Sequence, residues 1–86
     1  MIFMQALMYP IATEKAISMI EKDNIITYIV DMRATKQQIK KEFESTFNAK
    51  VAYVRTAITS KNKKKATIKL APQVKASDIA IKLKIV

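Results

Sequence analysis

From residue 25 to residue 31 the chain reads Ile-Ile-Thr-Tyr-Ile-Val-Asp, a run of β-branched and aromatic side chains at both odd and even positions. A strand without polar alternation is one covered on both faces, and the run is too short for an independent helix. It is expected to lie centrally in a sheet. On either side the period changes. Thr13 precedes Glu14 as an N-cap, and Ala16, Ile17 and Ile20 share one face of a helix that runs to about Lys22, where Asp23-Asn24 closes it without a glycine. Thr35 and Gln38 have the spacing of a capping box. Ile39, Phe43 and Phe47 follow at four-residue intervals, with Lys36, Lys40, Lys41 and Glu44 on other faces, which makes this the clearest helix in the chain.

Residues 51–59 and 66–71 alternate as strands. Only a register that pairs even with even positions puts Val54 and Ile58 on the same face as Ile68 and Leu70. The opposite face then carries Arg55 and Lys69, nearly across from one another, where an anion above the sheet would relieve their repulsion. Residues 4–9 are expected to form a short first strand, which Pro10 would end because it has no N–H for a ladder and holds Tyr9 extended. Pro72 ends the hairpin, and Ile79, Ala80 and Leu83 predict a short last helix that begins within residues 75–77. The element order is β-α-β-α-β-β-α, an α/β (α+β) fold.

Eighty-six residues allow one domain, residues 1–86, with one modest core, since a chain of this size buries only about 60 to 65% of its unfolded surface. Half the residues are hydrophobic, so the charges decorate a folded scaffold. Their distribution is uneven. Residues 1–49 balance six bases against six acids, whereas residues 50–86 hold nine lysines and Arg55 against Asp78 alone, so the net charge of +9 arises in the second half. Within it, Lys61-Asn62-Lys63-Lys64-Lys65 sits between two strands and is expected to gather at one sheet end.

Catalytic material is scarce. The chain has no histidine, cysteine or glycine, which removes thiol chemistry, disulfides, thiolate zinc sites and glycine-rich phosphate loops, and no cofactor is indicated. Glu21 with Asp23, and Glu42 with Glu44, stand two apart on helices and point to different faces, so they read as surface charges. Asp31 has no acidic neighbour with which to hold a metal. The apolar opening from Met1 to Met8 lacks a basic leader and falls short of the roughly 20 residues a membrane span needs, so a cytosolic location is expected.

A lysine turn can be no more than a solvated tip that discourages edge pairing. Here Lys50, Arg55, Lys69 and Lys75 share its half of the chain. Lys15, Lys36 and Lys40 stand at two helix starts, whose positive ends also attract phosphate, and a distributed phosphate-binding surface is the better reading. Such a surface reads backbone and shape, which suits a folded RNA. Tyr28 is expected in the core. Tyr53, beside Arg55, is open to stacking on a base or sugar.

At Tyr9-Pro10-Ile11-Ala12-Thr13-Glu14-Lys15-Ala16 the sequence resembles the opening signature of the universal large-subunit ribosomal protein L twenty-three family. Further blocks fall in the family's order: Asn24 with Tyr28-Ile29-Val30-Asp31, then residues 34–40 and Phe47, then Val54-Arg55-Thr56 and residues 64–70. The resemblance implies a four-stranded, largely antiparallel sheet with helices packed on it. It also implies a cytoplasmic, ribosome-bound protein that binds large-subunit rRNA beside the tunnel exit, neighbours another small helical ribosomal protein and helps dock nascent-chain chaperones or the signal recognition particle. Carried over by position, Lys15, Lys36, Lys40, Arg55, Thr56, Lys65 and Lys69 are the rRNA candidates, joined by Lys61, Lys63 and Lys64 of the turn. Glu14 takes the family's acidic docking position.

Three departures qualify the resemblance. Bacterial members carry a long basic loop between the last two strands, whereas about six residues, 60–65, connect them here, as in the archaeal and eukaryotic type. Asn48 stands where bacterial members carry an acid, which weakens a bacterial-style chaperone site, and Lys84 replaces a glycine at the end of the last helix, where fraying is expected. The alternatives are a free-standing nucleic-acid packaging protein and, from another class, an enzyme or regulator that uses Asp31 and Glu42.

Overall fold

Every element of the expected order is present in the structure, a computed structural model that describes residues 6–59 and 61–83. They are β1 (Leu7–Pro10), α1 (Glu14–Asp23), β2 (Ile25–Val30), α2 (Lys36–Phe47), β3 (Val51–Ile58), β4 (Lys64–Leu70) and α3 (Ala76–Leu83). The expected start of the first strand at residue 4, Ser60 in the connection and Lys84 lie outside the described residues. The sheet order is β1-β2-β4-β3 with every neighbouring pair antiparallel. β2 is central, and all six of its residues are buried. Because β2 and β3 both run antiparallel to β4, they are parallel to each other, and α2 is the crossover between them.

Local chemistry sets the helix ends. The Thr13 hydroxyl accepts the Ala16 N–H at 3.2 Å, and Thr35 and Gln38 complete a capping box at 3.1 and 2.9 Å. Both α1 and α2 close on a left-handed residue. In a chain with no glycine, Asn24, Asn48 and Asn62 adopt φ of 58°, 50° and 56°; asparagine accepts that region better than other residues with a Cβ. Asn24 does more than cap. Its amide donates to the Val74 carbonyl at 2.7 Å, its side-chain oxygen accepts the Ala76 N–H at 2.7 Å, and its carbonyl accepts the Leu70 N–H. One side chain thus joins the end of α1 to the start of α3.

The core lies on the even-numbered face of the sheet. Ile26, Ile68 and Val54 sit abreast across three strands, with Leu70 and Ala66 beside them, and Ile39 and Phe43 of α2 join the same buried cluster. Tyr28 meets Phe43 edge-on, 6.4 Å between centroids, so it is a core residue as expected.

The hairpin register differs from expectation at one end. Val54, Thr56 and Ile58 face Ile68, Ala66 and Lys64, even with even, but Val51 faces Leu70 after a shift by one residue at Ala52. A bulge there lets both Val51 and Val54 turn inward. In the regular part of the register Lys69 faces Tyr53 and Arg55 faces Thr67, so the two cations are diagonal neighbours and their repulsion is smaller than for an opposed pair. Ile58 has the core parity yet remains 57% exposed at the strand end. Pro10, expected just beyond the first strand, is its last residue opposite Tyr28; β1 is an edge strand, where the missing N–H costs no ladder bond.

Glu42 and Glu44 are not idle surface charges. The Glu42 carboxylate accepts the N–H groups of Ala6 and Leu7 at 2.9 and 2.8 Å, and Glu44 accepts that of Val51 at 3.0 Å, so α2 fastens both edge strands. Charge-assisted bonds of this kind contribute about 1.5 to 3 kcal/mol each when shielded from water.

Burial first, and the Glu42 carboxylate second, push the Tyr28 phenol above its ordinary value of 10.0. Above pH 10 the unfolded chain releases this proton and the folded chain keeps it. The contribution of Tyr28 to stability is thus present below the unfolded value and declines as pH rises through the folded one. Tyr28→Phe keeps the ring and has no proton to lose. Urea denaturation from about pH 9 to about pH 11 is expected to show a shallower alkaline loss in the variant than in the parent, and parallel losses would contradict the assignment.

Candidate nucleic-acid interface

The even face is filled by the core, so alternation turns the odd residues of β3 and β4 outward. Tyr53, Arg55, Lys65, Thr67 and Lys69 share this side, and the Arg55 guanidinium lies 5.1 Å from the centroid of the Tyr53 ring. A contact of this kind joins the cation to an aromatic ring on one exposed side. The first turn of α1 reaches the same side, since Lys15 and Ala16 line a depression together with Thr27, Lys65 and Thr67. Four expected RNA-contacting residues, Lys15, Arg55, Lys65 and Lys69, are therefore brought onto one face.

The remaining candidates divide between the sheet end and the helical side. Lys61 is exposed in a turn closed by hydrogen bonds between Thr59 and Lys63, 2.7 Å from the Thr59 N–H to the Lys63 carbonyl. The Lys63 ammonium donates to the Tyr9 hydroxyl at 2.9 Å. Lys64 is half-buried and donates to the Ala34 carbonyl at 2.6 Å, which ties the turn to the approach of α2. Lys36 and Lys40 are exposed on α2; Lys36 begins that helix at the same sheet end as the lysine turn. Thr56 belongs to the even side opposite Ala66, so it does not join Arg55. Glu14 is exposed at the first position of α1.

Tyr9 escaped the sequence reading. Its ring lies 5.5 Å from the Lys63 ammonium and it pairs with Ile29 on the odd side, a placement visible only once β1 is known to flank β2. Lys69 spends one donor on the Asp23 carbonyl at the end of α1, where a cation meets the negative end of the helix.

Little neutralises this charge. Among the described residues the one ion pair joins Arg33 to Asp31 at 3.4 Å, and the hydrogen bond from the Arg33 backbone N–H, followed by its guanidinium, holds the Asp31 carboxyl below its usual value. Asp31 is thus engaged locally. Among the described residues no group of histidine, cysteine and acidic side chains could hold a metal ion, and no helix is long and apolar enough to cross a membrane.

A small antiparallel sheet whose outer face along β3 and β4 is studded with unpaired cations is a scaffold for a polyanion. The family model described as Ribosomal protein L23 matches residues 5–84, nearly the whole chain. The chain belongs to this ribosomal protein family. As an L twenty-three protein it is a constituent of the large ribosomal subunit and serves translation as a structural component. The blocks that resemble the family at residues 9–16 and 64–70 fall on the α1 start and on β4, the two elements that supply Lys15, Lys65 and Lys69 to the basic face.

Two lysines of the same turn are expected to behave differently. Lys64→Ala removes a half-buried hydrogen bond to the Ala34 carbonyl and lowers stability by about 1 kcal/mol, whereas Lys61→Ala changes it by less than about 0.5 kcal/mol. Thermal melts of the two variants separate them; equal midpoints would remove Lys64 from its structural role.

Proposed function

We propose that this ribosomal protein binds folded large-subunit rRNA through the odd-numbered face of its sheet, near the exit of the polypeptide tunnel. The observation that carries the reading is the set Lys15, Arg55, Lys65 and Lys69, gathered on one side with no acidic partner within ion-pair distance among the described residues. Contacts to phosphate oxygens position the protein on the RNA, and the Tyr53 and Arg55 pair offers a place for a base or sugar to stack. Lys61 and Lys63 at the strand ends, and Lys36 and Lys40 on α2, extend the contact around one end of the sheet. No step of this function calls for catalysis.

A second role sits beside the first. Glu14 is exposed at the start of α1, and adjacent helical positions point about 100° apart. Lys15 can face RNA while Glu14 faces a protein, and the family resemblance supports docking of the signal recognition particle or a nascent-chain chaperone there, next to a small helical ribosomal neighbour. The short connection between β3 and β4 favours the archaeal and eukaryotic type, a protein that does not reach deep into the tunnel.

Binding to a large-subunit rRNA fragment is expected to weaken with salt along a log-log slope near about −5 if about six cations meet phosphates, taking duplex behaviour as a guide. Arg55→Gln and Lys65→Gln should each reduce that slope by about one and weaken binding, and Lys22→Gln on α1 should leave it unchanged. A slope near zero would contradict the basic face as the contact. Equal affinity for random duplex DNA and for the rRNA fragment would favour a general packaging protein.

A further inference from the structure

Thr27 is the one buried polar residue among the described residues, 5% exposed in the middle of a strand otherwise made of Ile, Tyr and Val. Its carbonyl accepts the Ile11 N–H at 3.0 Å, but its hydroxyl has no hydrogen-bond partner among the described residues. Thr27 lines a depression, and no fully occluded side-chain nitrogen or oxygen among the described residues lacks a partner, so the hydroxyl retains access to what enters there. The hydroxyl is thereby left to bind a polar group that enters from outside the chain.

The depression has the chemistry to do so. Its volume is about 150 Å³, several times the roughly 30 Å³ share of one water. Lys15 and Lys65 flank it, Thr13 and Thr67 add hydroxyls, and Ile11, Ala16 and Met19 form an apolar wall that limits water and strengthens charge interactions inside. The start of α1 opens onto it. The Thr13 oxygen takes the Ala16 N–H and the Thr13 carbonyl takes that of Ile17, which leaves the Glu14 and Lys15 N–H groups without partners among the described residues. Glu14 is the one acid of that turn; it is exposed and does not line the depression.

We infer that this depression is a seat for a single phosphate group, held by the Lys15 and Lys65 ammoniums, the Thr27 hydroxyl and the free N–H groups of the α1 start. The inference rests on the reading of the chain as an RNA binder and deepens it: the seated group is one backbone phosphate of the rRNA. The rest of the basic face contacts phosphates in open solvent. This seat grips one from three elements at once and so fixes the register of the protein on its RNA.

The test uses inorganic phosphate on the full isotope-labelled chain, followed by amide NMR shifts at constant ionic strength, together with affinity for a large-subunit rRNA fragment. Phosphate is expected to shift the Glu14, Lys15 and Thr27 amides in a saturable way, with little movement at Lys61 or Lys82. Thr27→Val keeps the β-branched shape and so the strand, and Lys65→Gln keeps the side-chain length. Each should weaken phosphate binding severalfold, with Thr27→Val weakening the rRNA complex by about tenfold at unchanged salt slope. Phosphate shifts spread evenly over all lysine-bearing segments would overturn the seat. So would phosphate shifts confined to the depression with rRNA affinity unchanged in Thr27→Val; the site would then take free phosphate and not the RNA backbone. A parent chain that binds no rRNA would instead overturn the RNA reading, and the phosphate titration would still report on the depression by itself.

Discussion

The burial of Ile68 between Ile26 and Val54 is the contact on which the molecule turns. All three belong to the buried cluster that Ile39 and Phe43 of α2 join, and Ile26 and Ile68 are fully excluded from solvent. A slip of β4 by one residue would send Ile68 and Leu70 into water and Lys69 into the core. Each fully buried aliphatic side chain is worth about 1.5 to 3 kcal/mol, and an unpaired buried lysine costs more still, so the register has no near competitor. The same packing that fixes the core thereby fixes where the charges go. Lys65, Thr67 and Lys69 face outward because Ala66, Ile68 and Leu70 face inward, and the basic face is a by-product of the hydrophobic one.

Much of this was legible in the sequence because it depends on short-range pattern. Thr13, the Thr35 and Gln38 pair, the unbroken apolar run of β2 and the even parity of Val54 with Ile68 are all local signals, and each led to the element observed. The family resemblance added Lys15 to the basic set, which the odd face then accommodated. What the pattern did not reveal depends on long-range partners. Val51-Ala52-Tyr53-Val54 offers two apolar residues at each parity, so nothing in it marks the bulge that sets Val51 opposite Leu70. Glu42 and Glu44 look like ordinary helix charges until the edge strands arrive with unpaired N–H groups. Lys64 reads as one more cation of the turn, yet the Ala34 carbonyl takes its ammonium. Thr56 shares a motif with Arg55 but not a face.

The absence of glycine gives the scaffold its remaining character. Among the described residues three positions are left-handed, at the ends of α1 and α2 and in the lysine turn, and the chain's three asparagines occupy them. Asparagine tolerates this conformation at some cost relative to glycine, and its amide can then act as a connector. At Asn24 it does so, bonding to Ala71, Val74 and Ala76 and setting the end of α1 against the start of α3. The placement of α1 in turn brings Lys15 and the helix start beside Thr27 and Lys65. A function that requires several cations in fixed relative positions is served by a frame with few soft joints.

The central claim is that the odd-numbered sheet face is the main RNA contact, extended by Lys36 and Lys40 but not by the opposite face of α2 that carries Ser45. Photo-crosslinking within assembled large subunits tests it most directly, with a short crosslinker placed at Ala57, which faces Lys65 on the exposed side of the hairpin, or at Ser45, exposed on α2. The account predicts crosslinks to large-subunit rRNA from position 57 and few or none from position 45. RNA crosslinks from position 45, with position 57 silent, would contradict it.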